Sequence, residues 1–129
     1  MNPFATNGAF SWFELMTSDV EGAKKFYGEL FGWNFKKADN VDFDYNVVSL
    51  NGQEMAGIMD LKHCGDEKIP PHWGSYITVR DIKSTLGKAK ELGANVLVDI
   101  TAIPKVGDFA VIQDPQGAVI SMIEYKMES

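Results

Sequence analysis

The chain is written twice. Residues Phe13–Trp33, FELMTSDVEGAKKFYGELFGW, are echoed 62 positions later by Ser75–Asn95, SYITVRDIKSTLGKAKELGAN. Asp19-Val20 falls on Asp81-Ile82, and Glu29-Leu30 falls on Glu91-Leu92. A repeat at this period confines the fold to two copies of one supersecondary unit, because each copy must bury its apolar face in the same way.

Each copy opens with an extended stretch and then an Asp placed to cap a helix, by accepting a bond from a free N–H of the first turn. Val20, Ala23, Tyr27 and Leu30 recur at helical spacing, matched by Ile82, Thr85, Ala89 and Leu92. Gly32 and Gly93 follow, where a left-handed residue closes a helix. Short β-rich runs come next. They are Trp33–Lys37, Tyr45–Leu50 and Met55–Leu61 in the first copy, then Asn95–Ile100, Phe109–Gln113 and Ala118–Tyr125 in the second. Asn51-Gly52 and Asp114-Pro115-Gln116-Gly117 supply turns between the last two strands of each copy. The expected fold is therefore α+β, with two β-α-β-β-β modules related by a pseudo-twofold axis and forming a curved mixed sheet around a cup. The modules are expected at about residues 10–61 and 73–126, joined by a linker at 62–72 within a single domain spanning residues 1–129.

At this length a chain buries enough surface to fold without staples. Twelve Lys and Arg against eighteen Asp and Glu leave a net charge of −6, which disfavours nucleic acid and anionic membranes as partners. The start has no basic region followed by an apolar one, and no long apolar run occurs, so the expected location is cytoplasmic. Cys64 is the only cysteine, which excludes an intrachain disulfide and reads as incidental.

Side chains alternate along a strand, so the first strand of each module divides into two sets. Phe13 and Leu15, with Ser75 and Ile77, are expected to face the helix. Trp12, Glu14 and Met16, with Gly74, Tyr76 and Thr78, are expected on the concave face, joined by Ser121, Ile123 and Tyr125 from the last strand. Trp73, Tyr76 and Phe109 are candidate aromatic walls, suited to stacking or cation–π contact with a ligand. Trp33, Phe26 and Phe31 read as helix-to-sheet packing. Glu14 is the candidate acid or base. Buried without a cation it would hold its proton more tightly, paired with a ligand cation it would stay ionised and supply binding, and otherwise it is a carboxylate in water or bonded to Tyr76, its counterpart in the repeat.

The stretches Phe26-Tyr27, Leu30-Phe31-Gly32-Trp33 and Asp114-Pro115-Gln116-Gly117, on the doubled plan, resemble the vicinal oxygen chelate superfamily. This is the group of glyoxalase I, bleomycin-resistance proteins and extradiol dioxygenases, and the resemblance runs from about Phe10 to Tyr125. It implies four metal ligands of His, Gln or Glu type, one on the first and one on the last strand of each module. Carried over by motif, they fall on Trp12, Gly74, Ser121 and a position on or beside Gly57. None of these is a usual metal ligand. The two histidines, His63 and His72, fall in the linker. No metal or other cofactor is therefore expected.

Three functions follow as expectations. The first is a metal-independent small-molecule binding protein of the glyoxalase/bleomycin-resistance type, a homodimer whose cup takes an aromatic or cationic ligand. The second is an enzyme, either a lyase or isomerase using Glu14 as acid or base or a metal enzyme with displaced ligands. The third is an assembly module whose cup is filled by its own side chains. There is no phosphate-binding glycine loop, GxSxG, CxxC or HExxH to narrow the substrate.

Overall fold

The computed structural model describes residues 1–39, 44–64 and 70–126. The chain divides into two compact units, Trp12–Gly74 and Met1–Ser11 with Ser75–Ser129.

The Trp12–Gly74 unit takes most of β1 (Phe10–Thr17), then α1 (Val20–Phe31), β2 (Asn34–Lys37), β3 (Tyr45–Leu50), β4 (Gln53–Asp60) and a short 3₁₀ turn at Leu61–Cys64. Its strands lie in the order β2-β3-β4-β1. β1 runs parallel to β4, with Glu14 beside Gly57, while β3 is antiparallel to both β2 and β4. Asn51 and Gly52 form the tight β3–β4 turn with φ of 53° and 80°. One irregularity follows, in which Val48 faces Ala56 but Ser49 faces Glu54. Met55 is thereby left out of the alternation and joins the helix-side core.

That core is Leu15, Val20, Val48, Ala56 and Ile58, with Ala23, Tyr27, Trp33 and Phe35 packed around it. Val48 and Ile58 are fully buried, and each such side chain stabilises the fold by about 1.5–3 kcal/mol. The expectation for α1 holds at Val20, Ala23 and Tyr27 and fails at Leu30, which is exposed. Phe26 and Phe31 are also exposed rather than wedged against the sheet. Phe26 lies off the stripe of Val20, Ala23 and Tyr27, and Leu30 and Phe31 lie past the last of these contacts. Phe13 shares the parity of Leu15 but is 45% exposed, so it is not part of the helix-side core.

The other unit contains β5 (His72–Thr78) from Ser75 onward, α2 (Ile82–Glu91), β6 (Asn95–Ile103), β7 (Gly107–Gln113) and β8 (Val119–Tyr125), in the order β5-β8-β7-β6. The parallel pair here is β5 with β8, where Tyr76 lies beside Ser121. Its core is Val79, Ile82, Leu86, Ala110 and Met122. Leu86, one turn after Ile82, packs where a strict reading of the repeat put Thr85, and Leu92 is exposed. His72, expected in the linker, opens β5. The side chains of His63 and Cys64, and residues 65–69, lie outside the described residues.

Both caps form as the repeat predicts. Asp19 accepts from the Gly22 N–H at 2.9 Å and Asp81 from the Ser84 N–H at 3.1 Å. Gly32 and Gly93 close the helices at φ of 76° and 98°, a region in which a Cβ would be strained. After α2 the Ala94 N–H reaches the Ala89 carbonyl and the Gly93 N–H the Lys90 carbonyl, the paired bonds of a Schellman end. Both units are thus a mixed four-stranded sheet with one helix on one face, and the α+β expectation is met.

Candidate functional site

With Leu15, Val48, Ala56 and Ile58 committed to the helix side, strand alternation sends Trp12, Glu14, Met16, Val47, Gly57 and Met59 to the opposite face. Tyr45 belongs to the same set, since it pairs with Met59 across β3 and β4. On this face the Trp12 indole Nε1–H donates to the Tyr45 hydroxyl at 2.9 Å, and that hydroxyl donates to Glu14 Oε2 at 2.7 Å. An indole nitrogen can only donate, so the phenol oxygen accepts from Trp12, and toward an ionised carboxylate it turns its own hydrogen. Glu14 is only 6% exposed.

Gly57 is what makes this arrangement possible. It lies beside Glu14 in the β1–β4 register, and a Cβ there would overlap the Tyr45 hydroxyl. Trp12, Glu14, Met16 and Gly57 were all expected at this face from the sequence, whereas Tyr45 was not. Strand register supplies the link that the repeat offset does not. In the other unit Phe109 pairs with Ile123 and Ile123 with Thr78, as Tyr45 pairs with Met59 and Met59 with Met16. Tyr45 therefore occupies the position equivalent to Phe109, which the sequence did single out.

In the unit holding β5 to β8, Ala110 and Met122 face the helix, so Tyr76, Thr78, Phe109, Ser121, Ile123 and Tyr125 fall on the other face. The rings of Tyr76 and Phe109 meet edge to face at 6.4 Å. Thr78, a candidate lining residue, instead spends its hydroxyl on the Pro3 carbonyl at 2.6 Å. Phe4 sets its ring edge-on to Tyr125, whose hydroxyl lies 2.7 Å from Ser11 Oγ. Burial pushes the Tyr125 phenol above its ordinary range, against the smaller lowering effect of the Ser11 bond. The N-terminal segment thus covers part of this face.

Trp73 is placed elsewhere than the sequence suggested. Its Nε1–H donates to the Tyr27 hydroxyl at 3.1 Å, and its ring packs against Tyr27 and Trp33, both of which border the helix-side core. Trp73 precedes Gly74 in β5 and so points to the opposite side, which removes it from the aromatic wall. Gly74 lies near the Glu14 backbone, where an added Cβ would stand 3.9 Å from the Glu14 carbonyl oxygen.

A separate cleft of about 350 Å³ lies beside the start of α2, lined by Arg80, Asp81, Lys83, Asp108, Glu124 and Lys126 among others. Several of its acidic and basic groups are already engaged. Glu124 accepts from the Ile82 N–H at 2.9 Å, and Lys126 bonds Asp108 at 2.7 Å, an interaction that raises the Lys126 pKa. Glu124 is therefore directed to the helix side of its own sheet.

The four positions that the family resemblance implies for a metal carry an indole, two glycines and a hydroxyl. A divalent ion needs imidazole, carboxylate or thiolate donors, so this set does not fit one. Among the described residues no group of three His, Cys, Asp or Glu is disposed to hold a metal ion. Among the described residues, too, no helix is long and apolar enough to cross a membrane.

Comparison with known proteins agrees with this architecture. "Putative glyoxylase CFP32" of Mycobacterium tuberculosis is 32% identical over 117 residues, 89% of this chain and 45% of its own length. The anthracycline biosynthesis protein DauV of a Streptomyces species is 29% identical over 119 residues, 92% of this chain and 42% of its own. The chain thus spans about half the length of these relatives. Among solved structures, methylmalonyl-CoA epimerase from M. tuberculosis aligns with a TM-score of 0.60 over 95% of this chain and 92% of that one, at 15% identity, a likeness of fold alone. The family model for the Glyoxalase/Bleomycin resistance protein/Dioxygenase superfamily matches residues 9–122. The chain belongs to that superfamily.

Proposed function

We propose that this protein binds a small molecule without a metal, on the face carrying Trp12, Tyr45 and Glu14, and that the ligand is an aromatic cation. The observation that carries this reading is a buried carboxylate beside an indole, the two joined through one phenol. A carboxylate kept from water gains most from a positive partner, and an indole face attracts the same charge through its quadrupole. Met16 and Met59 on this face add soft, adaptable surface. The equivalent face of the other unit, with Tyr76, Phe109, Ser121 and Ile123, is a second candidate surface within the same proposal. We also read residues 1–129 as one domain of two modules that works as a homodimer, because a chain of this kind ends its half-sheets in edge strands.

The second reading keeps the same site and makes it catalytic. Glu14 would move a proton as acid or base, with Tyr45 donating to its carboxylate, and what favours this is the hydrogen-bonded burial of that one carboxyl. The names of the relatives, a glyoxylase and an anthracycline biosynthesis protein, are compatible with either reading.

The test is a fluorescence titration with N-methylacridinium. Saturable quenching that disappears in Trp12→Ala is the expected result. Absence of quenching, or quenching unchanged in the variant, counts against the reading.

A further inference from the structure

We infer that Tyr45 is a positioning residue that sets the charge selectivity of this site, by holding Glu14 in one rotamer with a carboxylate oxygen committed as an acceptor. The inference rests on the proposed binding face and deepens it. Tyr45 stands between two groups of different kinds. The indole side can only give a hydrogen and the carboxylate side receives one, so the phenol acts as a directional link. Donation by a phenol to a carboxylate favours the charged form of that carboxylate, and a charged form is what distinguishes a cation from a neutral molecule of equal shape.

Two further observations bear on the same residue. Gly57 is shaped around the Tyr45 hydroxyl, since any Cβ there would overlap it, so the backbone next to Glu14 is fitted to the phenol oxygen and not merely to a ring. At the position equivalent to Tyr45 the other unit has Phe109, whose neighbour Ile123 is equivalent to Met59, and Ser121 there stands where Gly57 stands here. A ring alone therefore satisfies the packing at this place in the fold. The hydroxyl, and the glycine that admits it, are particular to the unit that holds Glu14.

The experiment has one arm without ligand and one with. In the free protein, the Trp12 indole N–H signal in a ¹H–¹⁵N spectrum reports the link directly. Tyr45→Phe should shift that signal and speed its exchange with solvent roughly tenfold, the loss expected for one such hydrogen bond. Gly57→Ala should have the same effect without altering the tyrosine. Glu14→Gln, which keeps an acceptor oxygen, should leave the signal near its wild-type place.

The second arm compares N-methylacridinium with uncharged acridine, a pair nearly equal in shape. Wild type should prefer the cation. Tyr45→Phe should lower that preference roughly tenfold with the acridine Kd unchanged, and Glu14→Gln should abolish it. A purely structural role for Tyr45 would weaken both probes together, and that result overturns the inference. So does an unchanged cation preference in Tyr45→Phe when the indole signal shows the link broken. If neither probe binds wild type, the proposed ligand class and the selectivity role both fall. An indole signal insensitive to Tyr45→Phe removes the positioning role alone.

Discussion

The two units share a frame and differ in what they mount on it. Glu14 lies beside Gly57 as Tyr76 lies beside Ser121, and Tyr45 stands where Phe109 stands. On one face the result is a chain of donors leading to a buried carboxylate. On the other it is an edge-to-face aromatic pair, with hydroxyls engaged by the N-terminal segment at Pro3 and Ser11. The difference teaches that a duplicated backbone does not carry a duplicated site. Four exchanges separate a polar network from a packed surface: an indole for a glycine, a carboxylate for a phenol, a phenol for a phenyl and a missing Cβ for a hydroxymethyl.

The largest effect should come from breaking the equivalence of Gly57 and Ser121. Gly57→Ala forces the Tyr45 hydroxyl to move and should cost about 1–3 kcal/mol, whereas Ser121→Ala should stay within roughly 0.5 kcal/mol. Urea melts of the two variants check this, and equal losses would contradict the fit of Gly57 to the Tyr45 hydroxyl. Next come the caps, where the units should behave alike. Asp19→Ala and Asp81→Ala each remove one side-chain bond to a helix N-terminus and should each cost about 1 kcal/mol. A clear inequality between them would show that the helices are not equivalent in their own units.

A smaller effect should separate the hydroxyls. The Tyr125 phenol titrates above its ordinary 10.0 because burial disfavours the phenolate. The folded state then holds this proton more tightly than the unfolded state does. The associated stability is complete below the unfolded pKa and is lost as pH rises through the higher folded one. Wild type should lose stability above about pH 10 more steeply than Tyr125→Phe, and coincident curves would remove the effect. Smallest of all is Lys126→Gln. Its bonds to Asp108 and Glu124 are made in solvent, so the denaturation midpoint should not measurably move.

Much of the fold was legible because the repeat carries its own punctuation. Asp19 and Asp81, Gly32 and Gly93, and the turn at Asn51-Gly52 each perform locally what their chemistry requires, with little need of distant partners. Parity along β1 was enough to place Leu15 apart from Trp12 and Glu14. What could not be read were features set by tertiary reach. Phe26 lies off the stripe of Val20, Ala23 and Tyr27, and Leu30 and Phe31 lie past Tyr27, the last helix residue packed on the core. The docking of Trp73 on Tyr27 likewise depends on a neighbour far along the chain. Tyr45 is the instructive omission. It begins a strand after a stretch with no repeat match, and only strand register ties it to Phe109 and so to the site.

The most direct measurement is a crystal structure of the protein with N-methylacridinium bound, together with elemental analysis of the same preparation. The expected result is the cation's ring against the Trp12 indole and its charge facing Glu14, with Tyr45 still donating to that carboxylate and no stoichiometric transition metal. Density for the probe only at other surfaces, or a metal ion held by protein side chains on the Trp12 face, would contradict it.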